Sequence, residues 1–180
     1  MLLARRSFVL GSLALAGCAR VPVAPEGPRA PITLEDAFAG RSRGAGVFRV
    51  PITGTERRFR ADLDGRLEGD RLTVVEDFVY DDGEENTLTW VFDRAPDVNG
   101  ERRWTGTRDD TVGTATVREL GTEIRLSYVV DFESAGSVTR LGFEDVIYFG
   151  EDGRVINDAI VTRWGIPVGT VRFELLRAAG

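Results

Sequence analysis

The sequence predicts an all-β chain: an antiparallel up-and-down β-barrel of about eight to ten strands, preceded by one short N-terminal helix. Three observations carry this. Ten segments of alternating apolar and polar residues follow one another from Gly46 to Leu176, most of them separated by turn signals. Glycine is abundant, with 21 residues beside many Val, Thr and Arg, a composition suited to short strands and tight turns. Beyond Gly40 no apolar period of 3.6 residues recurs, so a helix there would have no face to bury.

Thr33-Leu34-Glu35-Asp36 reads as a capping box and Gly40 as a stop, which predicts a helix over Leu34–Ala39. The strand segments are Gly46–Val50, Arg57–Leu63, Leu72–Tyr80, Thr87–Asp93, Arg103–Thr107, Val112–Leu120, Glu123–Phe132, Arg140–Phe149, Val155–Trp164 and Val168–Leu176. Asp82-Gly83 and Asp152-Gly153 mark hairpin turns, because glycine takes positive φ readily. Alternation is clearest in Ile124, Leu126, Tyr128, Val130 and Phe132, with Arg125, Ser127 and Asp131 on the opposite face. Evenly spaced strands joined as a meander favour closure into a barrel whose end the helix plugs, with a two-sheet sandwich as the alternative. The domain is expected over residues 32–180, with no internal repeat.

The N-terminus reads as an address. Arg5 and Arg6 precede an apolar run, Phe8–Ala16, far shorter than the roughly 20 residues that span a bilayer. That run fits the apolar core of a signal peptide over residues 1–17. It ends in Leu15-Ala16-Gly17-Cys18, which resembles the lipobox of bacterial lipoproteins, whose cysteine is acylated after cleavage. Cys18 is therefore the expected lipid attachment site, and two or three acyl chains hold a protein where one would be marginal. Arg5-Arg6-Ser7-Phe8-Val9-Leu10 resembles a twin-arginine export motif, with Ala4 where Ser or Thr is usual, so both export routes stay open. Residue 19 is Ala rather than Asp, which by the sorting rule of such lipoproteins directs the chain to the periplasmic face of the outer membrane. Residues 18–31 form a proline-rich tether; such a stretch favours polyproline II at about 3 Å per residue.

Composition excludes several chemistries. All 23 basic residues are arginine, and there is no histidine. A Ser-His-Asp triad, a Cys-His pair and a histidine metal site are therefore ruled out, leaving Asp or Glu as a general base, with Tyr or Arg behind them. Cys18 is the only cysteine, so there is no intrachain disulfide or thiolate zinc site. Net charge is −6 and falls to about −8 once Arg5 and Arg6 leave with the signal. A body this acidic argues against nucleic acid as a partner and against electrostatic adhesion to anionic lipid.

The candidate site residues are polar interruptions of apolar faces. Leu72, Val74, Glu76, Phe78 and Tyr80 share one strand face, and Leu141, Phe143, Asp145, Ile147 and Phe149 share another. If these faces are core, Glu76 and Asp145 point inward, and each is expected to bond to an Arg or Tyr, since a buried carboxylate is costly alone. Trp90, Trp104, Trp164, Tyr128 and Phe143 are candidates for lining a cavity or simply filling the barrel. Glu76, Trp90, Tyr128 and Asp145 are the ligand-binding candidates. Asp81-Asp82-Gly83-Glu84-Glu85-Asn86 lacks the spacing of a calcium loop and reads as an acidic turn, and Asp109-Asp110 reads as another. No metal, cofactor or catalytic residue is expected. Three readings remain: a binding module for a fatty acid or other small apolar ligand, a scaffold with a filled barrel, and a carboxylate-only hydrolase.

Placed on these strands, the chain resembles domain-of-unknown-function family 3833, a group of bacterial lipoproteins. The resemblance rests on Phe38 and Gly40, Gly46-Val47-Phe48, Arg57-Arg58-Phe59, and above all the run from Leu72 to Gly83. Trp90, Gly106, Asp110, Val112, Gly113, Ala115, Tyr128, Asp145, Tyr148 and Gly165 complete it. An Arg expected just before Trp90 is absent, with Leu88 and Thr89 there, and Val146 stands where a Trp often follows Asp145. The resemblance implies a lipocalin/calycin-like barrel and a lipoprotein, and it brings no reaction. Members encoded beside fatty-acid-modifying enzymes hint at lipid.

Overall fold

The computed structural model describes residues 21–134 and 136–178. One helix, α1 (Leu34–Phe38), precedes ten strands: β1 (Gly40–Val50), β2 (Thr55–Glu68), β3 (Arg71–Tyr80), β4 (Glu85–Val98), β5 (Glu101–Thr107), β6 (Ala115–Glu119), β7 (Ile124–Ser134), β8 (Ser137–Phe149), β9 (Val155–Arg163) and β10 (Ile166–Arg177). Every strand pairs antiparallel with its chain neighbours, and β1 pairs with β10, so the sheet closes into a barrel rather than a sandwich. All ten alternating segments are strands. The signal segment and Cys18 lie outside the described residues.

Nine of the ten strands begin within three residues of expectation, and β1 begins six residues early. β1 begins at Gly40 rather than Gly46, because its first half, Arg-Ser-Arg-Gly-Ala, carries no apolar alternation to read. Gly44 and Gly46 leave room for neighbouring rings: a Cβ would come within 2.7 Å of the Phe173 ring at Gly44 and within 2.3 Å of the Phe59 ring at Gly46. β6 begins at Ala115 rather than Val112, because residues 108–112 fold into a turn. Thr111 anchors that turn on Arg108, and Val112 N donates to Val129 O at 2.8 Å.

The helix plugs one end. Thr33 caps it, accepting from Asp36 N while the Asp36 carboxylate accepts from Thr33 N. Leu34, Ala37 and Phe38 are buried in the barrel mouth they close. Gly65 of β2 lets the plug approach, since a Cβ there would lie 1.8 Å from the Phe38 carbonyl oxygen. Below the plug Leu72, Trp104, Ile124 and Ile147 are 2% exposed or less. Fully burying such side chains stabilises the fold by about 1.5–3 kcal/mol each. Glu119 latches the plug: Oε1 accepts from Leu34 N (3.0 Å) and Trp104 Nε1 (2.8 Å), and Arg102 lies 3.2 Å from Oε2. The turns at residues 51–54, 81–84, 108–114 and 164–165 surround the opposite, open end.

Residues 21–31 do not stand free as an extended tether. Ala24 is buried against Val146, Tyr148 and Ile156 on the outer wall of β8 and β9. Arg29 lies over the Tyr148 ring and pairs with Glu123, and Arg125 donates to the Pro22 carbonyl. Outward apolar residues on β8 supply a surface whose burial outweighs chain entropy for this stretch.

Candidate functional site

Alternation on the long strands builds the site. On β3, Leu72 and Val74 point toward the plug, Glu76 sits midway, and Phe78 and Tyr80 approach the open end. On β8, Ile147 lies nearest the plug, Asp145 midway, and Phe143 and Leu141 nearer the opening. The neighbours across the sheet are apolar: Leu63 and Leu88 flank Glu76, and Leu126 and Ala159 flank Asp145. Both carboxyl residues therefore face inward, as the pattern predicts, and are 8% and 3% exposed.

They face one cavity of about 500 Å³ that runs from the open end of the barrel down to Phe38 of the plug. All four ligand-binding candidates, Glu76, Trp90, Tyr128 and Asp145, stand in its wall. Tyr128 stacks on Phe143 with centroids 4.8 Å apart, and Trp90 meets Tyr128 edge-on at 5.1 Å. These rings give an apolar wall with one charged ceiling, the Arg108 guanidinium 4.9 Å from the Trp90 centroid and 5.4 Å from that of Tyr128.

The expected Arg or Tyr partners of the two carboxylates are not there. Arg108 donates through Nε and Nη2 to Asp110 at 2.7 and 2.9 Å, and it reaches Glu76 only as a through-space charge. A bidentate fork to a residue in the same turn fixes Arg108 at little entropic cost, which a reach across the barrel would not. Asp145 is bonded instead to an amide, Asn157 Nδ2 donating to Oδ2 at 2.9 Å. Asp145 Oδ1 and Asn157 Oδ1 are buried with no donor among the described residues. Burial dominates the electrostatics. Desolvation pushes the Glu76 carboxyl up to about 7 against the attraction of Arg108, and pushes Asp145 up to about 7 against its Asn157 bond. Burial likewise raises the Tyr128 phenol well above its ordinary value.

Two of the tryptophans do not line the cavity. Trp104 is packed below the plug and donates to Glu119. Trp164 is 83% exposed, at the tip of the β9–β10 hairpin. Arg108, Asp110 and Asn157 join the site unannounced. Asn157 carried a usable signal, since it interrupts the inward face of Val155, Ala159 and Val161 just as Asp145 does. Asp110 is in the expected turn, with its carboxylate bound to Arg108 at the cavity. The acidic turn after β3 serves Arg57, which Asp82 and Glu84 both hold.

The barrel is similar to the solved structure of the S-type phycobiliprotein lyase CPES from Guillardia theta, with a TM-score of 0.58 over 79% of this chain and 89% of that chain. Sequence identity is 15%, so the likeness is one of fold, a lipocalin-like barrel. No curated protein matches the chain. A family model described as protein of unknown function (DUF3833) matches residues 12–177, nearly the full length, and the chain belongs to that family.

Proposed function

We propose that this chain is a membrane-anchored binding protein whose half-hollow barrel holds the apolar part of a small lipid or similar ligand. One observation carries the reading: above the side chains packed around the plug the barrel encloses about 500 Å³, reaching from the open end down to Phe38 and bounded mainly by aromatic and aliphatic side chains with a few convergent polar groups. That size and lining are those of a small-molecule site. A scaffold would have no use for the void, since filling it would stabilise the fold.

The lipobox ending in Cys18 supports anchoring, with the periplasmic face of the outer membrane as the destination. The open rim supports a working position at a lipid surface: Ile52, Val138, Trp164 and Ile166 project there, each at least 61% exposed. Radiolabelled palmitate should enter the wild-type protein and not Cys18→Ser; label retained by that variant would overturn the anchoring.

Two carboxyls titrating near 7 in one cavity also favour a second reading, acid–base chemistry on a bound substrate. Neither carboxyl is oriented by a charged partner, so binding remains the better supported. Native mass spectrometry of gently purified protein should show a non-covalent adduct of lipid mass. A protein that carries none and takes up no apolar probe would refute the binding reading.

A further inference from the structure

The polar groups of the cavity say what kind of head a ligand can bring. Among its lining residues five carboxylates face two guanidiniums. Both guanidiniums are already engaged, Arg57 by Asp82 and Glu84 and Arg108 by Asp110. Glu76 and Asp145 are left with no cation within salt-bridge distance. Beside them two acceptors, Asp145 Oδ1 and Asn157 Oδ1, are buried without a donor. Buried acceptors without donors are rare in folded proteins because each forfeits a hydrogen bond it made in water.

We propose that the cavity selects a single-chain amphiphile whose head donates hydrogen bonds and carries no negative charge, a hydroxyl or an amine, and that it disfavours a carboxylate. This rests on the binding reading above and sharpens it. The Asp145–Asn157 pair forms the head site, and the aromatic wall of Trp90, Tyr128 and Phe143 takes the chain. A hydroxyl supplies a donor to one of Asp145 Oδ1 and Asn157 Oδ1, and an ammonium supplies donors to both. An ammonium also supplies the cation that Glu76 and Asp145 lack. A carboxylate head brings only acceptors and adds a charge of the sign already in excess.

The same arrangement makes selection depend on pH. The charged and titratable groups facing Glu76 and Asp145 are Arg108 and Asp110 from the β5–β6 turn, Tyr80 on β3 and Tyr128 on β7, and Glu144 on the outer face of β8 acts on Asp145 through space. None of these supplies a free cation, so ionisation of the pair leaves the cavity more negative.

The test is a titration of the purified protein with dodecanol, dodecylamine and dodecanoate in competition with N-phenyl-1-naphthylamine, at pH 6 and pH 8. At pH 8 the amine should bind at least tenfold more tightly than dodecanoate, and the alcohol should fall nearer the amine. The amine-to-acid ratio should be smaller at pH 6, where Glu76 and Asp145 hold more of their protons. Glu76→Gln combined with Asp145→Asn should bring the ratio at pH 8 to within about threefold. The wild-type ratio and its pH dependence need no variant, so a misfolded double variant leaves the test intact. Dodecanoate binding as tightly as the amine at pH 8 would overturn the inference while leaving a ligand-binding barrel. Failure of all three to displace the probe, or of the probe to bind, would overturn both.

Discussion

Glu119 and Glu76 are both glutamates on the inner face of the same barrel, 7% and 8% exposed, and their surroundings could hardly differ more. Glu119, at the closed end, has a backbone amide, an indole N–H and an arginine around its two oxygens. Glu76, midway along β3 in the cavity wall, has apolar neighbours on both adjoining strands and a distant arginine committed to another residue. A buried carboxylate with its donors in place ties elements together, whereas one without them remains a cost that the fold has not removed. The difference separates a half built for stability from a half that keeps space and polarity for something else. The hairpin tips repeat the contrast. Asn99-Gly100 turns β4 into β5 at the closed end with φ of 53° and 81°, the usual residues for that turn. Trp164-Gly165 makes the same turn at the open end with φ of 53° and 77°, forcing an exposed indole into a backbone region that bulky residues avoid.

The largest effect expected is on pH. In the unfolded chain Glu76 and Asp145 lose their protons near their ordinary values of 4.5 and 3.8; in the barrel both hold them to about 7. Below about pH 3 both states are protonated and folding carries no penalty. Between there and 7 the folded state binds more protons, so stability falls as pH rises, and the loss is complete above the folded value. Each carboxyl should contribute on the order of 3 kcal/mol to that loss. Urea unfolding between pH 5 and 8 should show this slope, and Glu76→Gln with Asp145→Asn should flatten it. An unchanged slope in the double variant would mean that these carboxyls are better solvated than their positions indicate.

Removing the latch comes next. Glu119→Ala should cost about 3–5 kcal/mol, because it strands the Trp104 indole, the Leu34 amide and Arg102. Glu76→Ala at pH 8 should cost nothing or stabilise, since no donor depends on Glu76. Equal losses for the two, by urea midpoint, would erase the distinction between the ends. The smallest effect is at the tips: Trp164→Asn should stabilise by about 1 kcal/mol by relieving the backbone. Asn99→Trp should cost a similar amount.

Much of this was legible in the residues, and the rest was not for physical reasons. A two-residue period with one face buried fixes strand identity and parity, so the ten strands and the inward Glu76 and Asp145 could be read directly. Parity says nothing of partners. Glu119 is paired with an amide 85 residues away and an indole 15 residues away, and neither spacing leaves a trace in the sequence. Arg108 was invisible for the opposite reason: its partner Asp110 is two residues on, in a turn where alternation stops. Trp-Gly is not a hairpin signal, so the residues give Trp164 as the end of a strand, although its even position, against the odd-numbered inward residues of β9, excludes it from the barrel interior. The seating of residues 21–31 on the outer wall had a faint mark in Val146 and Tyr148, apolar residues on the face that should meet water.

The central claim is that the open half is hollow for a ligand, and filling it tests that most directly. Ala159 is 4% exposed, lines the cavity and lies opposite Asp145. Fluorescence titration of N-phenyl-1-naphthylamine into wild type and Ala159→Phe should show one saturable site in the first and none in the second, with melting temperatures within a few degrees, because the ring enters space already empty. Undiminished probe binding in Ala159→Phe, or a collapse of its melting temperature, would contradict the account.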